Sequence, residues 1–419
     1  MKSYKVMLIP NKKQRTRLFQ FAGSARFAYN WALNREMTAF KNGEKFISEY
    51  DLRKEFTLMR NSDEYKWLKK ISNNVTKQAI RDLGIAYKNF FEKQEKTKIK
   101  YTKKKLAYLA RIGKSPAVYD MNGHPKFKCK RKNDYSFYQA TDKIQITSTH
   151  VKLESIAFSR RKNRQKLNWI KLAEVGRIPV GAKYKNPRIS YDSLNWWFSV
   201  SVEFEPQKSE GKFTESIGID LGLKSLAVCS DGKIYPNINK TKTIRKLEKR
   251  QRRINRSISR KYKMNGKEGE DRYLKTKNII KSEELLLKNY HRLTNIRQNY
   301  RHQITTEIIK RKPSLICLED LNVKGMMSNK HLSKAVQAQG FYEFRRQIEY
   351  KGEWTGITVI IADRYYPSSK TCIACGNVKK DLRLSERIYR CEKCGNEVDR
   401  DLQAAINLKR YGESKVPVR

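Results

Sequence analysis

Four cysteines in two close pairs, Cys372-x2-Cys375 and Cys391-x2-Cys394, carry the most specific chemistry in the chain. Fifteen residues separate the pairs, the spacing of a four-cysteine ribbon that closes a tetrahedral thiolate site around one Zn2+. A glycine follows each pair (Gly376, Gly395), which lets each knuckle turn back and offer amides to sulfur. Such a closed site leaves no position for water, so its ion is structural. Carboxylates carry a second chemistry. Asp220 sits inside the apolar run IGIDLG, Glu319 ends SLICLED, and Asp401 falls in VDRDLQAAINL. A carboxylate in a buried strand is costly unless it is paired or binds a cation. Three brought together would suit two Mg2+, hard ions that take carboxylate, phosphate and water oxygens. In such a site one ion activates the attacking water and the other stabilises the leaving oxygen. Singly each motif is weak, because Asp before Leu-Gly often forms a turn and Glu after a strand is often its solvent exit. Asp399 competes with Asp401: it suits an N-cap, with Asp401 in the first helical turn, and pattern alone leaves the two open.

The partner is written in the charge. The 419 residues hold 92 Lys plus Arg against 42 Asp plus Glu, a formal charge of +50 spread along the chain. So large a field repels itself unless a polyanion neutralises it, and nucleic acid is the polyanion that fits. No apolar run is long enough to span a bilayer, and no secretory signal pattern is expected at the start. Cys129, Cys229 and Cys317 stand alone, which fits a reducing cytoplasm. None of the five histidines falls in an HxH or HExxH arrangement, against a His-metal relaxase or zinc protease.

The elements that must position these groups follow from periodicity. SYKVMLIP predicts a strand ended by Pro10, then a helix with Leu18, Phe21, Ala22, Ala25, Tyr29 and Leu33 on one apolar face. Residues 51–93 continue helical, with Ile80, Leu83, Tyr87, Phe90 and Phe91 as the buried stripe, and the Lys-rich stretch 94–114 reads as solvated or RNA-facing. From Ile144 the period becomes two, giving a β domain closed by the polar stretch 205–215. A second unit opens with two strands in SIGIDLGLKSLAVCSDGKIYP and a tight turn at Asp231-Gly232. The basic tract 240–311 follows as a helical hairpin, its seams Ile244, Leu247, Ile254, Ile258 and Leu293, Ile296, Tyr300, Ile304, Ile308. Its outer Lys and Arg, the ribbon's Lys379, Lys380, Arg383, Arg387 and Arg390, and the aromatics Phe127, Tyr135, Phe137 and Tyr138 are candidate nucleic-acid contacts. Of Trp196 and Trp197, one belongs in a β core.

Over nearly its whole length the chain resembles the TnpB family, transposon-encoded relatives of type V CRISPR effector nucleases. IPNKKQ with FAGSARFAYNWAL (21–33) is similar to that family's opening helix, and PKFKCK (125–130) to its internal basic motif. IGIDLG, CLEDLN, the paired CxxCG and DRDLQAAINL fall in family order. The resemblance implies an α+β multidomain chain: an RNase H-like (RuvC-like) nuclease core with a zinc ribbon insertion, and a β-barrel wedge domain with an inserted helical recognition lobe. Its implied boundaries are wedge 1–10 and 126–210, lobe 11–125, nuclease 211–369 and 397–419, and ribbon 370–396. It implies catalytic, magnesium-holding carboxylates at Asp220, Glu319 and Asp401, with zinc on Cys372, Cys375, Cys391 and Cys394. It further implies two Mg2+, one Zn2+, a guide RNA, a double-stranded target cut beside a short flanking motif, and a monomer within a ribonucleoprotein in the cytoplasm at the nucleoid. Gln403 departs from the family's usual Asn and bears on the geometry of that helix terminus. The competing readings are a compact type V CRISPR effector, a DDE-type transposase, a guided but inactive repressor, and a stand-alone zinc-ribbon module.

Overall fold

The computed structural model describes residues 1–96, 103–111, 123–130, 135–154, 166–205, 213–266, 275–383 and 386–416. Residues 97–102 and 112–114 of the Lys-rich stretch 94–114 therefore lie outside the described residues; in its helix Lys103–Arg111 the described side chains are exposed except half-buried Leu109. The chain divides into two compact units, Met1–Phe204 and Glu205–Arg419.

In the first unit, strand β1 (Lys2–Ile9) stops at Pro10, and Asn11 caps a 30-residue helix, Lys12–Lys41. Asn11 Oδ1 accepts the Gln14 amide at 2.9 Å, and Gln14 Oε1 accepts the Asn11 amide at 2.9 Å, a reciprocal capping box. The helix buries the whole expected face from Leu18 to Leu33. The following stretch is two helices, Glu49–Asn61 and Asn73–Lys96, joined through a 3-10 turn at Lys66–Lys70. Ile80, Leu83, Tyr87 and Phe90 are buried, but Phe91 is 45% exposed. Consecutive helical residues point about 100° apart, so Phe90 and Phe91 do not share a face.

The strands β2 (Tyr135–Tyr138), β3 (Gln145–Ile146), β4 (His150–Lys152), β5 (Trp169–Leu172), β6 (Tyr184–Tyr191) and β7 (Trp196–Val202) join β1 in one antiparallel sheet, ordered β2-β6-β7-β1-β5-β4-β3. Along β7, Trp196, Phe198, Val200 and Val202 are buried while Trp197 faces the other way. The sheet curls. Its end strands β2 and β3 would lie about 29 Å apart if it were flat. The six residues 139–144 that join them reach at most about 25 Å, and residues 141–143 form a 3-10 turn. Gln139 also accepts the Glu154 amide at 2.7 Å, tying the end of β2 to the end of β4.

The second unit is built on β8 (Ile217–Leu221), β9 (Ser225–Cys229), β10 (Ile234–Pro236), β11 (Leu315–Glu319) and β12 (Thr358–Ala362), ordered β10-β9-β8-β11-β12. β10, β9 and β8 pair antiparallel, while β8-β11 and β11-β12 pair parallel. One face buries Ile217, Ile219 and Leu318 against Ile304, Ile308, Phe341, Phe344 and Ile348, from helices Lys277–Lys310 and Phe341–Thr355. Helix Arg400–Lys415 covers the other face. The basic tract forms helices Lys242–Met264 and Lys277–Lys310, with Ile244 and Leu247 packed on Leu293. Ile304 and Ile308 leave that seam and join the sheet's core, because the second helix runs on past the end of the hairpin. Among the described residues no helix is long and apolar enough to cross a membrane.

Candidate active site and thiolate centre

The acidic site follows from sheet parity. Leu318 pairs with Ile219 and Cys317 with Gly218, so one position further on Asp220 and Glu319 stand side by side at the ends of neighbouring parallel strands. Alternation then gives Gly218 and Asp220 one face, the same as Cys317 and Glu319. That is the face helix Arg400–Lys415 occupies, and glycines set how closely it lies. A Cβ at Gly218 would stand 2.0 Å from the Ala405 carbonyl oxygen, and one at Gly412 would stand 2.6 Å from Leu315 Cδ2. Backbone therefore meets backbone, and the helix N-terminus arrives at the two strand ends with Asp401 in its first turn.

Asp399 and Asp401 have different tasks in this geometry. Asp399 is the N-cap: its Oδ1 accepts the amides of Asp401 at 2.9 Å and Leu402 at 3.1 Å. The Asp401 carboxylate is free of that duty and lies 3.7 Å from Arg400 and 3.9 Å from Arg387. Burial first, then the charges of Glu319 and Asp401, lift Asp220 well above the usual carboxylate range, with Arg400 opposing. Glu319 is pushed up to about 7, again by burial first; the Leu221 amide it accepts pulls down and Asp401 pushes up. Its neighbour Asp320 is spent structurally, paired to Arg345 at 2.8 Å and Arg364 at 2.5 Å.

The loop after Asp220 is pinned. Buried Gln339 donates to the Gly222 carbonyl at 2.9 Å, Asn237 to Leu223 at 2.8 Å and Lys240 to Lys224 at 3.2 Å. Gln339 is held in turn by Asn239 and by Arg301. None of these residues announces itself in sequence, because each acts on a backbone carbonyl from a distant element.

The cysteines gather as their spacing requires. Cys372 and Cys394 sulfurs are 3.6 Å apart, Cys375 and Cys391 3.5 Å, and all four lie within 4.8 Å of one another. Tetrahedral Zn–S bonds of about 2.3 Å put sulfurs about 3.8 Å apart, so the set fits zinc. Gly376 and Gly395 take φ of 72° and 70°, and their amides return to the Cys372 and Cys391 carbonyls at 3.0 Å. Cys391 is pulled down to about 6, chiefly by the Cys394 amide. Cys394 is pushed up to about 12: the Asn396 amide favours its thiolate, but Cys375, burial and the other sulfurs outweigh it. Crowded thiolates exclude one another unless a cation sits among them.

Among the described residues this is the only group of three or more His, Cys, Asp or Glu whose ligand atoms all lie that close. The acidic trio is more open. Ions of a two-metal site stand about 3.5–4 Å apart, which spreads their ligands.

Three family profiles match this chain: "Helix-turn-helix domain" over residues 1–45, "Probable transposase" over 199–330, and "Cas12f1-like, TNB domain" over 341–408. A protein of Escherichia coli K12 named as an RNA-guided DNA endonuclease, InsQ, is 26% identical over 99% of this chain and 93% of its own length. TnpB-like protein L79 of Acanthamoeba polyphaga mimivirus is 30% identical over 54% of this chain and 43% of its own length. The chain is similar to the TnpB family. In fold it is similar to the Cas12f1 of a Cas12f1–sgRNA–target DNA complex, at a TM-score of 0.53 and 14% identity over 95% of this chain and 82% of that one.

Set against the TnpB motifs, the structure redistributes several candidates. The first 45 residues are not two helices about a turn but strand β1 and one unbroken helix. Phe137, a candidate for base stacking, is 3% exposed and belongs to the core, whereas Phe127 is 46% exposed. Trp196 is the core tryptophan, and Trp197 donates to Asp192 at 2.6 Å. At the ribbon tip Lys379 pairs with Glu386 and Glu392, and exposed Arg390 with Glu397. Gln403, at the position where TnpB proteins usually have Asn, is fully buried and donates to the Ser369 carbonyl at 3.2 Å. Asn407 donates to Ser368 and Thr371 at 2.7 Å, and Arg410 to Ile373 at 2.6 Å. One face of the helix that carries Asp401 thus fastens the chain entering the ribbon.

Proposed function

We propose that the chain is an RNA-guided DNA endonuclease that hydrolyses phosphodiester bonds of a target duplex at Asp220, Glu319 and Asp401. The convergence of these carboxylates at two strand ends and one helix N-terminus carries the reading. Burial and mutual repulsion drive Asp220 and Glu319 toward their protonated forms, a penalty that divalent cations relieve. The sheet order, three antiparallel strands then two parallel ones with the acids on the central pair, supports an RNase H-like, RuvC-type core. The curled seven-stranded sheet supports the β-barrel wedge, and the helices within 12–96 its recognition lobe.

Two Mg2+, when bound, supply Lewis acidity to the attacking water and the leaving oxygen. The chain's own work is placement. Asp220 and Glu319 present oxygens from a rigid sheet, and the Gln339, Asn237 and Lys240 bonds hold the loop beside Asp220. Asp399 fixes the helix terminus so that Asp401 faces the same space. The four cysteines hold one Zn2+ that completes a ribbon too small for its own core. The +50 charge suits a guide RNA and a target duplex together. Base pairing then reads the target, and the protein reads a short flanking motif. The place of action is the cytoplasm, at the nucleoid.

The test is plasmid cleavage beside RNA and DNA binding for Asp220→Ala, Glu319→Ala, Asp401→Ala and Asp399→Ala. The first three should stop cutting with binding nearly unchanged, since phosphate contacts elsewhere supply affinity. Asp399→Ala should slow cutting without stopping it. A dead Asp399→Ala beside a normal Asp401→Ala would overturn the assignment.

A further inference from the structure

A cavity of about 510 Å3 opens in the first unit, between helix Lys12–Lys41 and the segment around the 3-10 turn Lys66–Lys70. The cleavage chemistry uses none of it. Phe27, Trp31, Tyr65 and Trp67 wall it, with Phe27 lying 5.4 Å from Trp67 and 5.8 Å from Tyr65 between ring centroids. Trp67 is 43% exposed, a large apolar face left to solvent at the cavity. On the facing helix is Gly23, where a Cβ would meet nothing within 4 Å, so the space beside it is open.

The polar wall is Arg26. Its Nη1 is buried and has no hydrogen-bond partner, while the guanidinium lies 5.1 Å from the Tyr135 ring centroid. Arg26 also lines the cavity, and a guanidinium offers several N–H donors to an acceptor oxygen. The Asn30 amide is committed to the Lys128 backbone in both directions, at 2.8 and 2.9 Å. Lys69 and Lys70, which follow Trp67 closely in the chain, are exposed.

We propose that this cavity receives one unstacked nucleobase of a single strand, its ring against Trp67 and Tyr65 and an acceptor oxygen of the same nucleotide on the Arg26 guanidinium. The inference rests on the nucleic-acid reading above and adds a site to it. An aromatic wall recognises a π-face, and a guanidinium recognises a base carbonyl or phosphate. The volume lies within the roughly 300–1,000 Å3 of small-ligand pockets. Guide RNA loops and a displaced DNA strand both offer splayed bases, so the chemistry is shared.

The test titrates the full chain by fluorescence anisotropy with unstructured 12-nucleotide RNA and DNA of one sequence, and with the same strands made abasic. Variants are Trp67→Ala, Trp67→Phe and Arg26→Gln. Trp67→Ala and Arg26→Gln should each weaken binding to base-bearing strands roughly 10-fold, and Trp67→Phe should restore most of it. Trp67→Ala should leave the salt slope unchanged, because no phosphate contact is lost. Its defect should vanish on the abasic strands. A defect confined to RNA assigns the site to the guide, one confined to DNA to the displaced strand, and both support the pocket. Parent-like binding by Trp67→Ala, or an equal defect on abasic strands, overturns the site while leaving guided cleavage untouched. A parent chain that binds neither RNA nor DNA overturns both.

Discussion

Arg387, on the ribbon, lies 3.9 Å from the carboxylate of Asp401, on the nuclease helix. The Arg387 carbonyl also accepts the Arg400 amide at 2.8 Å, and the next residue, Ile388, pairs with Asp399 across the hairpin of β13 (Ile388–Arg390) and β14 (Glu397–Asp399). β14 runs straight into helix Arg400–Lys415. The thiolate centre and the third carboxylate are therefore parts of one rigid segment.

Arg387 competes with a cation for Asp401. The pair is partly exposed, with 48% and 19% of the two side chains accessible, so the interaction is modest. Arg387→Ala should lower the Mg2+ concentration for half-maximal cleavage about two- to fivefold. A midpoint that rises would show that Arg387 aids metal binding instead.

Removing zinc should displace Asp401 as well as unfold the ribbon. Cys391→Ser should release zinc in a colorimetric metal assay, lower the melting temperature and reduce cutting, with guide RNA still bound. Zinc-free protein that cuts at the parent rate would contradict the coupling. Protein that contains no zinc when purified without chelators would contradict the site itself.

Close packing at Gly218 makes a steric prediction. The Ala405 carbonyl is backbone and cannot rotate away, so Gly218→Ala must push helix Arg400–Lys415 off β8. The expected loss is about 2–3 kcal/mol of stability, with cleavage falling further than folding because Asp401 rides on the displaced helix. Denaturant melts beside cleavage rates check this; a parent-like pair of values would refute the close approach.

The raised carboxylates fix a pH dependence. Glu319 at about 7 and Asp220 above the carboxylate range hold protons in the folded chain that the unfolded chain has already released. The folded state thus binds more protons, and metal-free stability should fall as pH rises from about 4.5 through 7. Mg2+ needs the deprotonated forms, so its stabilising shift in melting temperature should be larger at pH 8 than at pH 6. Glu319→Gln should flatten both trends. Equal Mg2+ shifts at the two pH values would count against these ligands.

What the sequence disclosed was whatever repeats locally. The CxxCG pairs, the helix face from Leu18 to Leu33 and the alternation through Trp196–Val202 each declare themselves within a few residues. The N-cap of Asp399 was readable but undecided, since only its bonds to the Asp401 and Leu402 amides distinguish it from a ligand. The clamp by Gln339, the approach at Gly218 and Gly412, and the Arg387 pair were not readable, because their partners lie far off in sequence. Phe91 and Phe137 show the reverse: composition marks them, while face and register place them elsewhere.

Guided cleavage itself is tested most directly by rewriting the guide. The ribonucleoprotein is purified from cells carrying the native locus, its RNA is sequenced, and the target-pairing segment is replaced. With Mg2+, cutting should move to the DNA that matches the new segment beside the same flanking motif, and Asp220→Ala should bind there without cutting. Cutting that stays at the old site, or that survives full removal of the RNA, would contradict the account.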